Sequence, residues 1–552
     1  MLTNNQHKFY ANFFRWLNWL CLLLLWFFVF SLFCHNLVSF NQDLGRHLKA
    51  GEIIIQQQKV FKNNLFSFSY PQFPFINHHW LAEVIFFLFV QYFGLKSLIA
   101  LSVILFSLLF FSLLWFSAKK SGWLISFSWG FLLLLLLNQR SDVRPEIFSY
   151  LFLSLYFIIL NKTSIFRKYW FILPLIQLFW VNTHIYFFLG PTLLFLYLIN
   201  NFIHKLKVKN HKQFLLACLA FSLSVLACLL NPNFINGALY PLLVFKNYGY
   251  RIVENQSIFF MTHYYSQLYN PYFLLIFFAS LITFFITLNN QSFYTISSFL
   301  FFSFLGFQAI RNIPLFALSV FVSVNQNLLL IKEKIKQKFS PELLLNFKLL
   351  FYFIFIPLIL FLTYQNMINQ TYQKRLSDKR FGFADFKGIK EGAKFILDNK
   401  ITGPMFNNFD IGSALIYYLY PQYQVFVDGR PEAYPAAFFN ETYIPMQESE
   451  KEWQEIVEQY NFNFIFFSHT DITPWAINFL TRVGKDKNWQ LVFLDDYAVV
   501  FLKQNKVNQA LINKYALNEN SFTYSCHKQI DCYARILNIL NILNWSKTGL
   551  QL

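Results

Sequence analysis

Charge is scarce in this chain. Asp, Glu, Lys and Arg make up 13% of its 552 residues, while 56% are hydrophobic. That balance excludes a soluble globular protein of this length. Cysteine is sparse too. Cys21, Cys34, Cys218 and Cys228 lie in or beside apolar segments, and only Cys526 and Cys532 in "CHKQIDC" are spaced to pair or stay free; no spacing resembles a zinc site. No glycine-rich phosphate loop, P-loop or serine-nucleophile elbow is present, so no nucleotide is expected. No internal repeat is visible. Nor is there a nucleic-acid-binding pattern, so the formal charge of +18 reads as Lys- and Arg-rich cytoplasmic loops rather than as a nucleic-acid footprint.

Long apolar runs dominate what remains. "FRWLNWLCLLLLWFFVFSLF" and "FLLLLLLN" approach or reach the roughly 20 apolar residues that cross a bilayer. The first run is too long for a signal-peptide core and lacks a small-residue cleavage site, so it is expected to be a retained helix. The 75 Phe residues match an AT-rich codon supply and pack against lipid as Leu does. Crossings are expected near 14–34, 95–116, 122–138, 146–160, 169–184, 186–203, 213–230, 271–289, 292–309, 313–330 and 346–363. With the amino terminus inside, "NKTSIFRK", "HKLKVKNHK" and "KEKIKQK" fall in the cytoplasm. "WLAEVIFFLFVQYF", before Gly94, then reads as an interfacial or re-entrant helix.

The fold class expected is a polytopic α-helical membrane protein of about eleven transmembrane helices, with a C-terminal extracytoplasmic α/β domain. Residues 1–363 form the membrane domain, with a large first outer loop at 35–94. Residues 364–503 form the α/β domain, because "GPMFNNF", "QVFVDGR" and "FNFIFF" read as strands alternating with helices and imply a mostly parallel sheet. "WQLVFLDDYAVVFLK" reads as a hairpin, and 504–552 as a helical tail.

Polar residues gather on the outer side of this topology. Ionisable groups at membrane depth are costly and usually line a cavity or pathway. Asp43 stands where a helix begins, as an N-cap requires, and shares a helix face with His47 four residues on. Leu44, Leu48, Gly51 and Ile55 make the neighbouring apolar face of an amphipathic surface helix. His79 and Glu83 are also four apart; two ligands fall short of a metal site, and an interfacial hydrogen bond fits better. In "RSDVRPEIFSY", Pro145 and Glu146 open a helix. Arg140 and Arg144 beside them suit either ion pairs or a phosphate clamp. Asn182 and His184 end a crossing, and Arg311 in "QAIRNIPLF" demands an anionic partner. In "VFVDGRPEAY", Asp428 and Arg430 follow a strand, where a ligand or a structural turn is equally well served.

A long first outer loop opening with an acid on an amphipathic helix, many crossings and a final α/β domain together resemble the GT-C superfamily of membrane glycosyltransferases. "DLGRHLKAGEII", "NHHWLAEV", "RPEIFSY", "WVNTHIYFFLG", "RNIPLFAL" and "VFVDGRPEAY" are similar to recurring blocks of a bacterial GT-C-like group, over residues 14 to about 503. The resemblance implies sugar transfer from a polyprenyl-phosphate donor to a glycan, lipid or protein acceptor at the outer face of the bacterial cytoplasmic membrane. It gives Asp43 the role of general base on the acceptor and Glu146 that of a second acid. His47, His79, Glu83, Arg144, His184 and Arg311 become the substrate-binding set. Asp43 lacks the adjacent acid of metal-dependent members, so a divalent metal is not favoured and no cofactor is expected. No "WWD"-type acceptor motif occurs. The competing readings are a transporter or flippase for a lipid-linked or anionic solute, and a non-catalytic scaffold with an outer binding domain.

Overall fold

The computed structural model describes residues 4–40, 42–208, 211–244, 248–266, 268–336, 338–370, 379–385, 388–471, 473–518, 524–525 and 550–551. The chain forms two compact units. One comprises residues 1–36, 93–241 and 252–384, the other 37–92, 242–251 and 385–552.

The first unit is helical. It holds α1 (Asn4–Phe33), and the second unit contributes the next two helices in chain order, α2 (Leu44–Gln57) and α3 (Trp80–Phe93). The first unit resumes with α4 (Ser97–Ser121), α5 (Trp123–Leu137), α6 (Glu146–Leu160), α7 (Thr163–Tyr169), α8 (Ile172–Thr183), α9 (Leu189–Val208) and α10 (His211–Ala227). After α11 (Phe234–Leu243) come α12 (Ile258–Tyr264), α13 (Pro271–Ile286), α14 (Phe293–Gln308), α15 (Ile313–Lys336) and α16 (Pro341–Met367). Helix starts follow side-chain chemistry. Asn270, Ser292 and Ser340 each accept a hydrogen bond from the backbone N–H three residues on, and Pro271 and Pro341 occupy the first turn. Inside the unit α1 packs on α16 and α4, and α15 packs on α5 and α14.

Each of the eleven predicted crossings is helical, but fewer meet the length needed to cross. Among the described residues five helices are long and apolar enough, or six if α6 and α7, bent by 115° at their junction, count as one span. The shortfall has local causes. α5, α8, α10, α13 and α14 are 15, 12, 17, 16 and 16 residues long. Gly122 at φ +88° separates α4 from α5, and extended backbone at His184 and Ala309 ends α8 and α14.

The second unit contains a four-stranded sheet, β1 (Met405–Asn407), β2 (Phe464–Ser468), β3 (Trp489–Leu494) and β4 (Ala498–Lys503), in the order β1-β2-β4-β3. Only β1 and β2 run parallel; β2–β4 and β3–β4 are antiparallel. The expected mostly parallel sheet is therefore a mixed one, because "QVFVDGR" joins no strand of it. Val425 instead bridges Ser67 of the first loop. Phe68 donates its N–H to the Val425 carbonyl at 3.1 Å, and Val425 donates to Phe66 at 3.0 Å. The loop after α1 thus belongs to the same unit as the C-terminal region. Phe406 on β1 anchors the core, with Phe426, Trp453, Phe462 and Phe479 around its ring. Full burial of one such ring is worth about 1.5–3 kcal/mol. The expected helical tail contains a helix at Gln509–Tyr515; most of 519–552, with Cys526 and Cys532, lies outside the described residues.

Candidate active site

The predicted site residues divide between the units. Asp43, His47, His79 and Glu83 lie in the second, and Arg144, Glu146, His184 and Arg311 in the first. Each set stands on its own local structure.

α2 carries Asp43 at its N-cap position. The Asp43 carbonyl accepts the His47 N–H at 3.2 Å, as a helix start requires, yet its carboxylate makes no capping bond. Arg46 Nη2 donates to Asp43 Oδ1 at 3.2 Å instead, and Arg46 is buried while Asp43 stays partly open. Small residues bring the surroundings close. A Cβ on Gly45 would sit 2.7 Å from the Ser413 carbonyl oxygen, and one on Gly51 would sit 2.2 Å from that of Glu83. Gly429 lets its loop approach the Gln42 carbonyl and the Asp43 carboxylate.

One turn on, His47 points elsewhere. Its Nδ1 lies 2.8 Å from Glu83 Oε1, and Asn77 Nδ2 donates to Glu83 Oε2 at 2.6 Å. The His79 ring meets that of His47 edge-on at 5.3 Å. Glu83 therefore bonds to the histidine of the other helix, where spacing alone suggested His79. Burial first, against the Asn77 hydrogen bond and the Arg46 charge, raises the Glu83 pKa to about 7. Burial likewise lowers the His78 pKa to about 4.

Two acids overlooked in the sequence belong to this unit. Asp410 follows β1 and Asp471 follows β2, each at the carboxyl end of a parallel strand, where such sheets often present ligand-binding loops. Loss of water contact first, then the Asp471 and Asp43 charges, raises the Asp410 pKa, although its side chain keeps an exposed face. Asp471 ties its own loop together, accepting from Asn408 Nδ2 at 3.0 Å and from the Thr473 hydroxyl at 2.8 Å. The strand-end position was the available signal. Asp428 and Arg430 form a closed structural pair. Arg430 Nε and Nη2 both reach Asp428 at 2.7 Å, Nη2 also reaches Asn64, and the guanidinium lies over the Phe66 and Phe75 rings.

In the helical unit a charge network forms at the starts of α6 and α15. Arg140 Nε donates to Glu146 Oε1 at 2.7 Å, and its Nη1 lies 2.6 Å from Glu254 Oε1. Arg144 Nη1 lies 3.0 Å from the same Glu254 oxygen. Burial opposes ionisation of Glu254, but the Arg140 and Arg144 charges outweigh it and hold its pKa down at about 2. Arg311 finds neutral partners: Nε donates to the Tyr186 hydroxyl at 3.1 Å and Nη1 to Asn255 Oδ1 at 3.0 Å. Three arginines thus face two glutamates, and the set retains a positive charge. His184 is buried beneath it. Its Nδ1 accepts from the Tyr186 N–H at 3.3 Å and lies 2.9 Å from Ser149 Oγ, which itself accepts from Trp180 Nε1. These bonds make His184 a support for Tyr186, the residue that Arg311 grips.

Among the described residues no three His, Cys, Asp or Glu side chains gather as a metal-ligand set.

No protein-family model matches the chain, and no curated protein matches it. Among solved structures, the oligosaccharyltransferase AglB of Archaeoglobus fulgidus, in complex with an inhibitory peptide and a dolichol-phosphate, is similar in fold. The TM-score is 0.61 at 11% identity, over 87% of this chain and 74% of that one. The Archaeoglobus fulgidus oligosaccharyltransferase in its apo form matches with a TM-score of 0.58 at 12% identity, over 83% and 70%. The chain has the GT-C fold. ArnT from Cupriavidus metallidurans in the apo state also aligns, with a TM-score of 0.48 at 14% identity, over 89% and 98%. Within the GT-C fold this chain sets Asp43 on its first loop, and it keeps the arginine network in its helical unit.

Proposed function

We propose that this protein is a membrane glycosyltransferase that moves a sugar from a polyprenyl-phosphate-linked donor to a hydroxyl-bearing acceptor. The work is done on the outer face of a bacterial cytoplasmic membrane, with the second unit extracytoplasmic. The observation that carries this reading is the arginine surplus, Arg140, Arg144 and Arg311 against Glu146 and Glu254, built into a GT-C fold. Such a surplus suits a phosphate diester, since guanidinium forks pair with phosphate oxygens.

In this reading the Asp43 carboxylate accepts the proton of the acceptor hydroxyl. The acceptor oxygen bonds to the anomeric carbon as the bond from that carbon to the donor phosphate oxygen breaks. The bonding pair leaves on the donor phosphate oxygen, whose developing charge a guanidinium is suited to offset. Arg46 orients Asp43 through its 3.2 Å contact. Glu146 holds Arg140 in place, so it acts as a positioning residue rather than as a second acid on substrate. His47, Glu83 and His79 form a separate cluster one turn further along α2.

The test is sugar transfer in proteoliposomes, with a panel of labelled polyprenyl-phosphate sugars as donors and membrane extract as acceptor. Transfer by the wild type that vanishes in a folded Asp43→Asn variant supports the enzyme and its base together. Full transfer by Asp43→Asn removes the base assignment. Absence of turnover with every donor, once acceptor supply is verified, turns the reading towards transport of a lipid-linked solute.

A further inference from the structure

The helical unit contains a second polar feature that sugar transfer at the arginine network does not use. A cavity of about 370 Å³ opens among α6, α9, α10, α14 and α15, at the end of α6 opposite Glu146. With 1.5 Å of rise per residue, the 15 residues of α6 place it about 20 Å from the arginine network. Ligand cavities are usually lined mainly by apolar side chains. This one is lined mostly by amides, hydroxyls and two phenols, with Leu160 and Leu330 as its aliphatic residues and no charged residue among the rest.

The amides are held in defined orientations. Lys120 Nζ donates to Asn161 Oδ1 at 3.0 Å, and Gln326 Nε2 donates to the same oxygen. An ammonium has only donors, so the Asn161 oxygen must face Lys120 and its NH2 must turn away. Arg167 Nε fixes Gln213 in the same manner at 2.8 Å, and Gln213 in turn donates to the Tyr197 hydroxyl at 2.7 Å. The Tyr294 backbone N–H takes the Asn200 oxygen. Among the described residues the NH2 groups of Asn161 and Asn200 make no hydrogen bond, and both residues line the cavity. The Tyr197 and Tyr294 rings, 5.6 Å apart and nearly perpendicular, are buried against each other at the lining.

We infer that this cavity is a binding site for an uncharged polyhydroxylated ligand, a saccharide of one or two hexose units. Amide donors and hydroxyls that both donate and accept match sugar hydroxyls. Lys120 and Arg167 stand behind the Asn161 and Gln213 oxygens and no cation lines the cavity itself, so a phosphate would have no direct ion pair there, whereas the arginine surplus lies at the other end of α6. A glycolipid headgroup and a free saccharide share this chemistry. The site is independent of the transfer reaction and stands whether or not Asp43 is a base.

The test uses the full-length protein in phosphatidylcholine nanodiscs. A diazirine-bearing methyl glucoside serves as photoprobe in one arm, and a diazirine-bearing glucosyl diacylglycerol in the other. Labelled peptides are mapped by mass spectrometry. Saturable labelling within 160–163, 197–201, 290–295 or 326–330 is expected, competed by methyl glucoside or maltose and not by glycerol or inorganic phosphate. Whichever probe labels at lower concentration identifies the source. Asn161→Leu is expected to raise the apparent Kd about tenfold, the effect of one unmade buried hydrogen bond. Asn200→Trp, which fills the cavity, should abolish labelling, with thermal unfolding of both variants as the folding control. Asp43→Asn should label as the wild type does. Labelling that maps elsewhere, that survives both cavity variants, or that phosphate or glycerol competes equally well overturns the assignment.

Discussion

The two units treat buried acids in opposite ways. In the helical unit Glu254 lies between Arg140 and Arg144 and stays ionised, its pKa held at about 2. In the other unit Glu83 has a histidine and an amide for company, and its pKa rises to about 7. The side chain is the same; Glu83 is fully buried and Glu254 keeps an open edge, and the partners set the direction of each shift. Arginine cannot give up its proton, so an acid packed between arginines keeps its charge. An acid whose burial outweighs its amide bond and the more distant Arg46 charge can lose its own charge near neutrality. One region is therefore suited to holding a fixed anion, and the other to proton exchange.

The largest expected effect breaks the proton-handling side. Asp43→Asn keeps the size and the hydrogen-bonding oxygen but removes the basic carboxylate, and transfer is expected to fall by about 10²–10⁴-fold. Initial rates in proteoliposomes measure it, with melting temperature as the folding check. Next in size is the fixed-charge side. Glu254→Ala leaves Arg140 and Arg144 without their shared carboxylate, and losing this partly exposed charge-assisted contact costs about 1.5–3 kcal/mol. Thermal unfolding in detergent should show it, whereas Glu52→Ala, whose Lys49 partner lies on a partly exposed face, should change stability by less than about 1 kcal/mol.

A third prediction sharpens the contrast through pH. Glu83 has a folded pKa near 7, above its unfolded value, so the neutral form is favoured in the folded state. Its contribution to stability is fully present below about pH 4.5 and is lost as pH rises to about 7, a change of roughly 3 kcal/mol. Glu254, with a depressed pKa, behaves in the opposite sense: its contribution is present above about pH 4.5 and is lost as pH falls towards 2. Glu83→Gln should therefore flatten the stability profile between pH 4.5 and 7. An unchanged slope in that variant refutes the assignment of the slope to Glu83.

Much of the fold is legible in the apolar runs, because segments rich in Leu and Phe have to become helices in a membrane. The Pro145–Glu146 start of α6 was readable from local helix chemistry alone. What was not readable depends on distant partners. Nothing in "NNLFSFSY" announces that Phe66 and Phe68 pair with Val425 across more than 350 residues, so the first loop and the C-terminal region looked separate. His79 was paired with Glu83 by helix spacing, yet His47 on another helix takes the carboxylate, because Gly51 lets α2 approach α3 closely. Asp410 is different: "GPMFNNF" is readable as a strand, so its strand-end position is legible, and what the sequence hides is the Asp471 charge that the β1–β2 pairing brings near it.

That close approach gives the smallest prediction and the most local one. A methyl group on Gly51 would lie 2.2 Å from the Glu83 carbonyl oxygen and 2.8 Å from Phe87 Cβ, so α2 and α3 must separate to admit it. Overpacking of this kind costs about 1–3 kcal/mol. Separation also stretches the 2.8 Å contact between His47 and Glu83, and with it the environment that holds the Glu83 proton. Gly51→Ala should thus lower stability and weaken the pH dependence of Glu83 together, while the arginine network, built on α6, α15 and the segment around Glu254, is unaffected. Gly94→Ala is the control: nothing lies within 4 Å of its added carbon, and its cost comes only from a backbone φ of +78°. If both variants shift the pH profile alike, helix spacing does not set the Glu83 environment, and the contrast between the units rests on its hydrogen bonds alone.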